Sequence, residues 1–149
     1  MLASDRSVLI EAPAKAVWAF LADFQNWGPV IDGRTGATLQ MTLQESAMVG
    51  VGKGRQLKRS DGKGFEQDLT ISEWLPPRLM AFSGKAPRPG DIRVTISENT
   101  AESSKVELHY EHELEDGILG MVAGFLGVQQ SLDLAVDDML QRVRLSLEA

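Results

Sequence analysis

Residues 105–114 read KVELHYEHEL, and residues 117–147 read GILGMVAGFLGVQQSLDLAVDDMLQRVRLSL; the change of rhythm between them decides the fold class. In the first stretch Val106, Leu108, Tyr110, His112 and Leu114 alternate with Lys105, Glu107, His109, Glu111 and Glu113. Period two places the first set on one face of a strand, toward a core, and the second in water. After Glu115-Asp116-Gly117 the period becomes 3.6 and holds almost to the end of the chain. Val122, Phe125, Gln129, Leu132, Val136, Met139 and Val143 form the central apolar stripe, widened by Leu126, Leu140 and Leu147. Asp133, Asp137, Arg142 and Arg144 fall mostly away from it. A helix of about 30 residues would be about 45 Å long and could cross an entire small domain.

Upstream of this junction the texture is strands divided by turns. Ile92, Val94 and Ile96 keep strict period two, and Asn99–Ser103 reads as a turn into the next strand. Arg78–Ser83 is a short strand after Pro76-Pro77, which closes the strand Gly64–Trp74. Asp61-Gly62, between that strand and Arg55–Arg59, is a strong hairpin signal. Leu39–Leu43 supplies another alternating segment. At the start, Val8 and Ile10 mark a half-buried strand over Arg6–Glu11. Pro13 suits the first turn of a helix whose apolar face is Val17, Phe20, Leu21 and Phe24. Asp23–Pro29 ends that helix and predicts a second short helix or a loop leading to Val30 and Ile31.

Composition narrows the chemistry. The 149 residues, 43% of them hydrophobic, match one domain able to bury a single core. Zero cysteines exclude disulfides, thiolate catalysis and cysteine-built metal sites, and two histidines leave little for metal or triad chemistry. No metal site and no cofactor are expected. A net charge of −6 argues against a broad nucleic-acid surface. The longest uncharged run, Gly117–Leu132, holds four glycines and two glutamines and falls short of a membrane span. With an N-terminus lacking the flank and apolar stretch of a secretory signal, the expectation is a cytoplasmic protein without a transmembrane segment.

The order of elements, together with specific stretches, resembles the START-like or SRPBCC superfamily. Val8–Asp23, reading VLIEAPAKAVWAFLAD, is similar to that superfamily's opening, and Trp27 and Pro29 fit its sequel. Gly52–Arg55, Asp61-Gly62 and the segment Glu73–Leu79, EWLPPRL, resemble the middle of the polyketide cyclase/dehydrase and lipid-transport branch. The resemblance implies one α+β domain over residues 1–149 with the helix-grip fold. A curved seven-stranded antiparallel sheet would wrap a long C-terminal helix, with two short helices after the first strand. It also implies an elongated apolar cavity for a lipid, quinone or aromatic polyketide.

Candidate site residues follow from inward polarity. His112 and Tyr110 share the inward strand face and could meet a ligand or exchange a proton with it. Gln129 interrupts the apolar helix stripe, so its amide needs a buried partner or a ligand. Arg55, with Arg59, could pair with a ligand carboxylate or phenolate, or belong to a solvated basic cluster with Lys53, Lys58 and Lys63. Trp27, Trp18 and Phe125 are candidate cavity aromatics or plain core. Gly117, Gly120, Gly124 and Gly127 cluster at the start of the last helix, which suits close packing, a gate, or a contact surface for a homodimer or membrane. The expected function is binding or transport of a small hydrophobic ligand. The alternatives are a cyclase or dehydratase using His112 and Tyr110 as acid and base with Arg55 beside an oxyanion, and an interaction module; no catalytic residue is assigned.

Overall fold

A computed structural model describes residues 2–27, 30–31, 38–43, 56–60, 66–84, 90–112 and 122–148. Strand β1 (Leu2–Ile10) leads into helix α1 (Ala14–Ala22) and a single 3-10 turn (Phe24–Trp27). Strands β2 (Val30–Ile31), β3 (Thr38–Leu43), β4 (Gln56–Ser60), β5 (Glu66–Leu75), β6 (Leu79–Gly84), β7 (Gly90–Thr100) and β8 (Ser103–His112) follow, and α2 (Val122–Glu148) comes last.

Strands β3 to β8 form a six-stranded antiparallel meander, which β2 extends at one end and β1 closes at the other by pairing with β8. The expected count of seven becomes eight, because Val30 and Ile31 pair with Leu39 and Thr38. The second short helix is reduced to the one 3-10 turn. Pro13 sits at the N-cap rather than inside α1, with extended backbone and its carbonyl accepting from the Ala16 and Val17 amides. The proposed turns at Asp61-Gly62 and Gly52–Gly54 lie outside the described residues.

Strand β1 starts four residues earlier than Val8 and Ile10 announce. Its inward positions continue through Arg6 and Ser4, so the alternation persists while the apolar signal stops. On β8, Val106 and Leu108 are buried and Tyr110 packs against the core, as period two requires. In β5 the period is broken. A bulge between Ile71 and Glu73 adds one residue, so that Ile71 and Trp74 both pair with inward residues of β6, Phe82 and Met80. Glu73 is thereby opposite Ala81, and it reaches Arg93 on β7 at 3.9 Å.

The core lies on the inner sheet face. Leu57, Leu69, Ile71, Met80, Phe82, Val94, Ile96 and Val106 are almost wholly buried there. Val17 and Leu21 of α1 and Leu132, Val136, Met139, Leu140 and Val143 of α2 close over it. Helix α2 packs chiefly along β1, with lesser contacts to β8 and to β2. Since β1 and β2 are the two outermost strands, a helix that touches both requires the sheet to curl around it.

Candidate functional site

Where α2 meets β1, polar groups replace the apolar packing. Ser4, 3% exposed, donates its hydroxyl to Asp133 Oδ1 at 2.6 Å. Arg6 reaches the other oxygen, Asp133 Oδ2, at 3.3 Å and Asp137 Oδ1 at 3.6 Å. Asp133 and Asp137 thus lie beside the apolar stripe, away from its centre as expected, with their side chains 26% and 46% exposed, and both meet residues of one strand. A carboxylate accepts only, so the Ser4 hydroxyl and the Arg6 guanidinium are suitable donors for it. The signal was in the sequence: Ser4 and Arg6 stand in the same period-two set as Val8 and Ile10.

Tyr110 is the backbone partner of Ser4 across β1 and β8, and it is partly buried on this same inner face. His112 is the next inward position of β8 and pairs with Leu2; its side chain lies outside the described residues. Gln129 and Phe125 belong to α2, one and two turns before Asp133, and their side chains are likewise outside the description. Arg55 lies outside it altogether, as does the side chain of Arg59. Among these, the described backbone sets Tyr110 opposite Ser4 and His112 opposite Leu2 at one end of the β1–β8 pair.

Trp27 stands elsewhere, in an aromatic chain under α1. Its ring meets Phe82 edge-on at 5.6 Å, Phe82 meets Phe24 at 5.7 Å, and Phe24 and Trp18 both meet Trp74. The Trp27 indole N–H donates to the Leu21 carbonyl at 2.8 Å, and the residue is 3% exposed. Its hydrogen-bonding capacity is therefore already used, leaving only the ring to meet a ligand.

The outer sheet face carries the charges. His109 points outward, as the alternation requires, and is held rather than free: Nδ1 contacts Asp5 Oδ1 at 2.5 Å and Nε2 faces Glu111 Oε1 at 3.6 Å. Lys105 pairs with Glu107 on the same face. Two open hollows of about 380 and 330 Å³ flank His109 and Arg93, and their walls combine charged and hydroxyl side chains with parts of Leu108, Phe82 and Ile92. Among the described residues no three His, Asp or Glu side chains group as a metal site would need, and no helix is long and apolar enough to cross a membrane.

Compared by sequence, the chain matches no family model and no curated protein. Compared by structure, it is similar over almost its whole length to several solved proteins. A START superfamily protein from Mycobacterium smegmatis superposes with a TM-score of 0.67 at 13% identity, over 98% of this chain and 97% of that one. The fold is START-like. The Zhui aromatase/cyclase from Streptomyces sp. R1128 superposes with a TM-score of 0.63 at 20% identity, over 98% of this chain and 93% of that one. The di-domain ARO/CYC BexL of the BE-7585A biosynthetic pathway matches at 0.63 and 16% identity over 99% of this chain. This chain spans 47% of BexL, about half of the di-domain protein. At these identities the likeness is one of fold.

Proposed function

We propose that residues 1–149 act as one domain that binds a small hydrophobic ligand, a lipid, quinone or aromatic polyketide, between the inner sheet face and α2. The observation that carries this reading is the position of α2, which packs along the outermost strand β1 and touches β2, while the middle strands turn apolar side chains toward it. Such an arrangement favours an apolar space with a few polar groups at its margin. Tyr110, His112 and Gln129 are the polar contacts proposed for one end, and Trp27, Phe125 and Arg55 remain proposed contacts along its length. Native mass spectrometry of the purified protein, with a thermal-shift panel of lipids, quinones and polyketide-like aromatics, tests the proposal. Co-purified ligand or a shift that grows with the logarithm of ligand concentration supports it; no shift across the panel and no bound mass would remove it.

A second reading, a cyclase or dehydratase, draws on the likeness to the Zhui aromatase/cyclase. In that reading His112 and Tyr110 transfer protons and Arg55 steadies an oxyanion. Replacing His112 by alanine separates the two. An enzyme loses turnover with affinity nearly intact, whereas a carrier shows no turnover to lose.

A further inference from the structure

The face of α2 opposite its buried stripe carries a pattern of its own. Leu134 is 69% and Leu145 60% exposed, two of the four most exposed large apolar side chains among the described residues. Eleven residues make three helical turns, so the two leucines stand in line about 17 Å apart. At about 100° per residue, Asp138, Gln141 and Leu145 all fall within about 40° of Leu134, and all three are exposed. Arg142 lies about 40° beyond Asp138 on the same flank. On the other flank Asp137 and Arg144 are engaged within the chain by Arg6 and Glu148. A lone exposed leucine calls for no account, whereas two aligned on one helix face mark a contact surface.

The order of these residues is self-complementary. Leu134 and Leu145 are equidistant from a point midway between Met139 and Leu140. A two-fold axis at that point sets a second copy of the helix antiparallel to the first, at the usual interaxial distance of about 8–10 Å. Leu134 is then level with the partner's Leu145, and Leu145 with the partner's Leu134. Asp138 and the partner's Arg142 fall on the same flank, about 1.5 Å apart along the axis, and the symmetry repeats that pair. Asp138 is 57% and Arg142 36% exposed, and within one chain Arg142 Nε lies 3.3 Å from Asp138 Oδ2. The second copy therefore joins two ion pairs into an array of four charges of alternating sign. A parallel arrangement would set each Asp138 against its own mate, and like charges so placed oppose association. A phospholipid surface fits less well, because a carboxylate stands between the leucines and the stripe holds no aromatic ring.

We propose that this outer face of α2 is the contact between two copies of the chain, packed antiparallel through Leu134, Asp138, Gln141 and Leu145 with Arg142 at the flank. One helix against its copy over three turns is a small contact, below the roughly 1,200 Å² of stable interfaces. The dimer accordingly forms at high protein concentration and exchanges readily. It stands apart from the ligand-binding reading, since the inner sheet face takes no part in it.

Sedimentation velocity from about 10 μM to about 1 mM tests the proposal over the range that so small a contact calls for. The native chain should pass from monomer to dimer. Leu134→Glu should weaken association at least tenfold, or about 1.4 kcal/mol, with the circular dichroism unchanged; Leu145→Glu is the second lesion should the first fail to fold. Asp138→Arg and Arg142→Asp each place like charges across the two-fold and should each weaken self-association about tenfold. Mixed in equal amounts, the two variants meet through charges of opposite sign at both contacts and should associate as the native chain does. A folding defect in either variant would not be repaired by mixing.

The cysteine-free chain allows a direct measure of the geometry. Across the two-fold, Gln141→Cys stands within the roughly 7 Å that a disulfide needs between Cα atoms, whereas Gln130→Cys stands about 28 Å from its mate along the axis. The first should oxidise to a covalent dimer about tenfold faster than the second, as its higher effective concentration requires. A chain monomeric throughout, association indifferent to Leu134→Glu, a mixture of charge variants no better than its components, or equal oxidation rates would each overturn the proposal. Flotation with phosphatidylcholine vesicles in place of self-association overturns it in favour of a lipid surface.

Discussion

Ser104 is wholly buried and donates its hydroxyl to the Ala12 carbonyl at 2.7 Å, joining β8 to the start of α1 across 92 residues of sequence. Ser104→Ala leaves that carbonyl without its donor and should cost about 1–3 kcal/mol in urea unfolding. Trp27 offers a graded pair of tests. Trp27→Phe keeps an aromatic ring against Phe82 but loses the bond to Leu21 and should cost about 1–2 kcal/mol, while Trp27→Ala also opens a cavity and should cost about 3–5 kcal/mol. A Trp27→Phe loss as large as that of Trp27→Ala would show that the indole shape, not its N–H, carries the stability. At this scale the sequence could reveal direction but not partners. Alternation sends His109 outward, yet only the β1–β8 register brings Asp5 to its ring. The partners of Asp133 were hidden for the same reason, since they lie 129 and 127 positions away.

At the scale of elements, period carried most of the information. The junction between β8 and α2, the buried stripe from Leu132 to Val143, and the meander of strands follow from period two giving way to period 3.6. What escaped were departures from period: the Ser72 bulge that turns Trp74 inward, and the two-residue β2, too short to show any alternation. Helix α2 lends itself to a paired test. Leu134 is 69% exposed and Val136 is 5% exposed. Leu134→Glu should change stability by no more than about 0.5 kcal/mol, whereas Val136→Asp places a charge in the core and should prevent folding or leave a state without fixed near-ultraviolet signal. Circular dichroism in the near and far ultraviolet distinguishes these outcomes. A stable Val136→Asp protein would mean that α2 does not pack on the sheet through this stripe.

At the scale of the molecule, ligand binding is coupled to unfolding. A ligand present at one hundred times its dissociation constant adds about 2.7 kcal/mol to a native state that alone binds it. For a chain of this length that is a rise of about 5–10 °C in Tm. The shift should grow with the logarithm of ligand concentration; a shift that saturates below 1 °C for every compound speaks against a specific site. The pairing of β1 with β8 has a consequence of another kind, concerning time. Leu2 meets His112, and the helix that flanks β1 is the last element of the chain. During synthesis at about 5–20 residues per second, the first strand is made long before anything exists to pair with it or cover it. A nascent chain that stops short of Ser103 carries β1 without a sheet neighbour, and the ring of contacts that closes the molecule is drawn shut only by its last third.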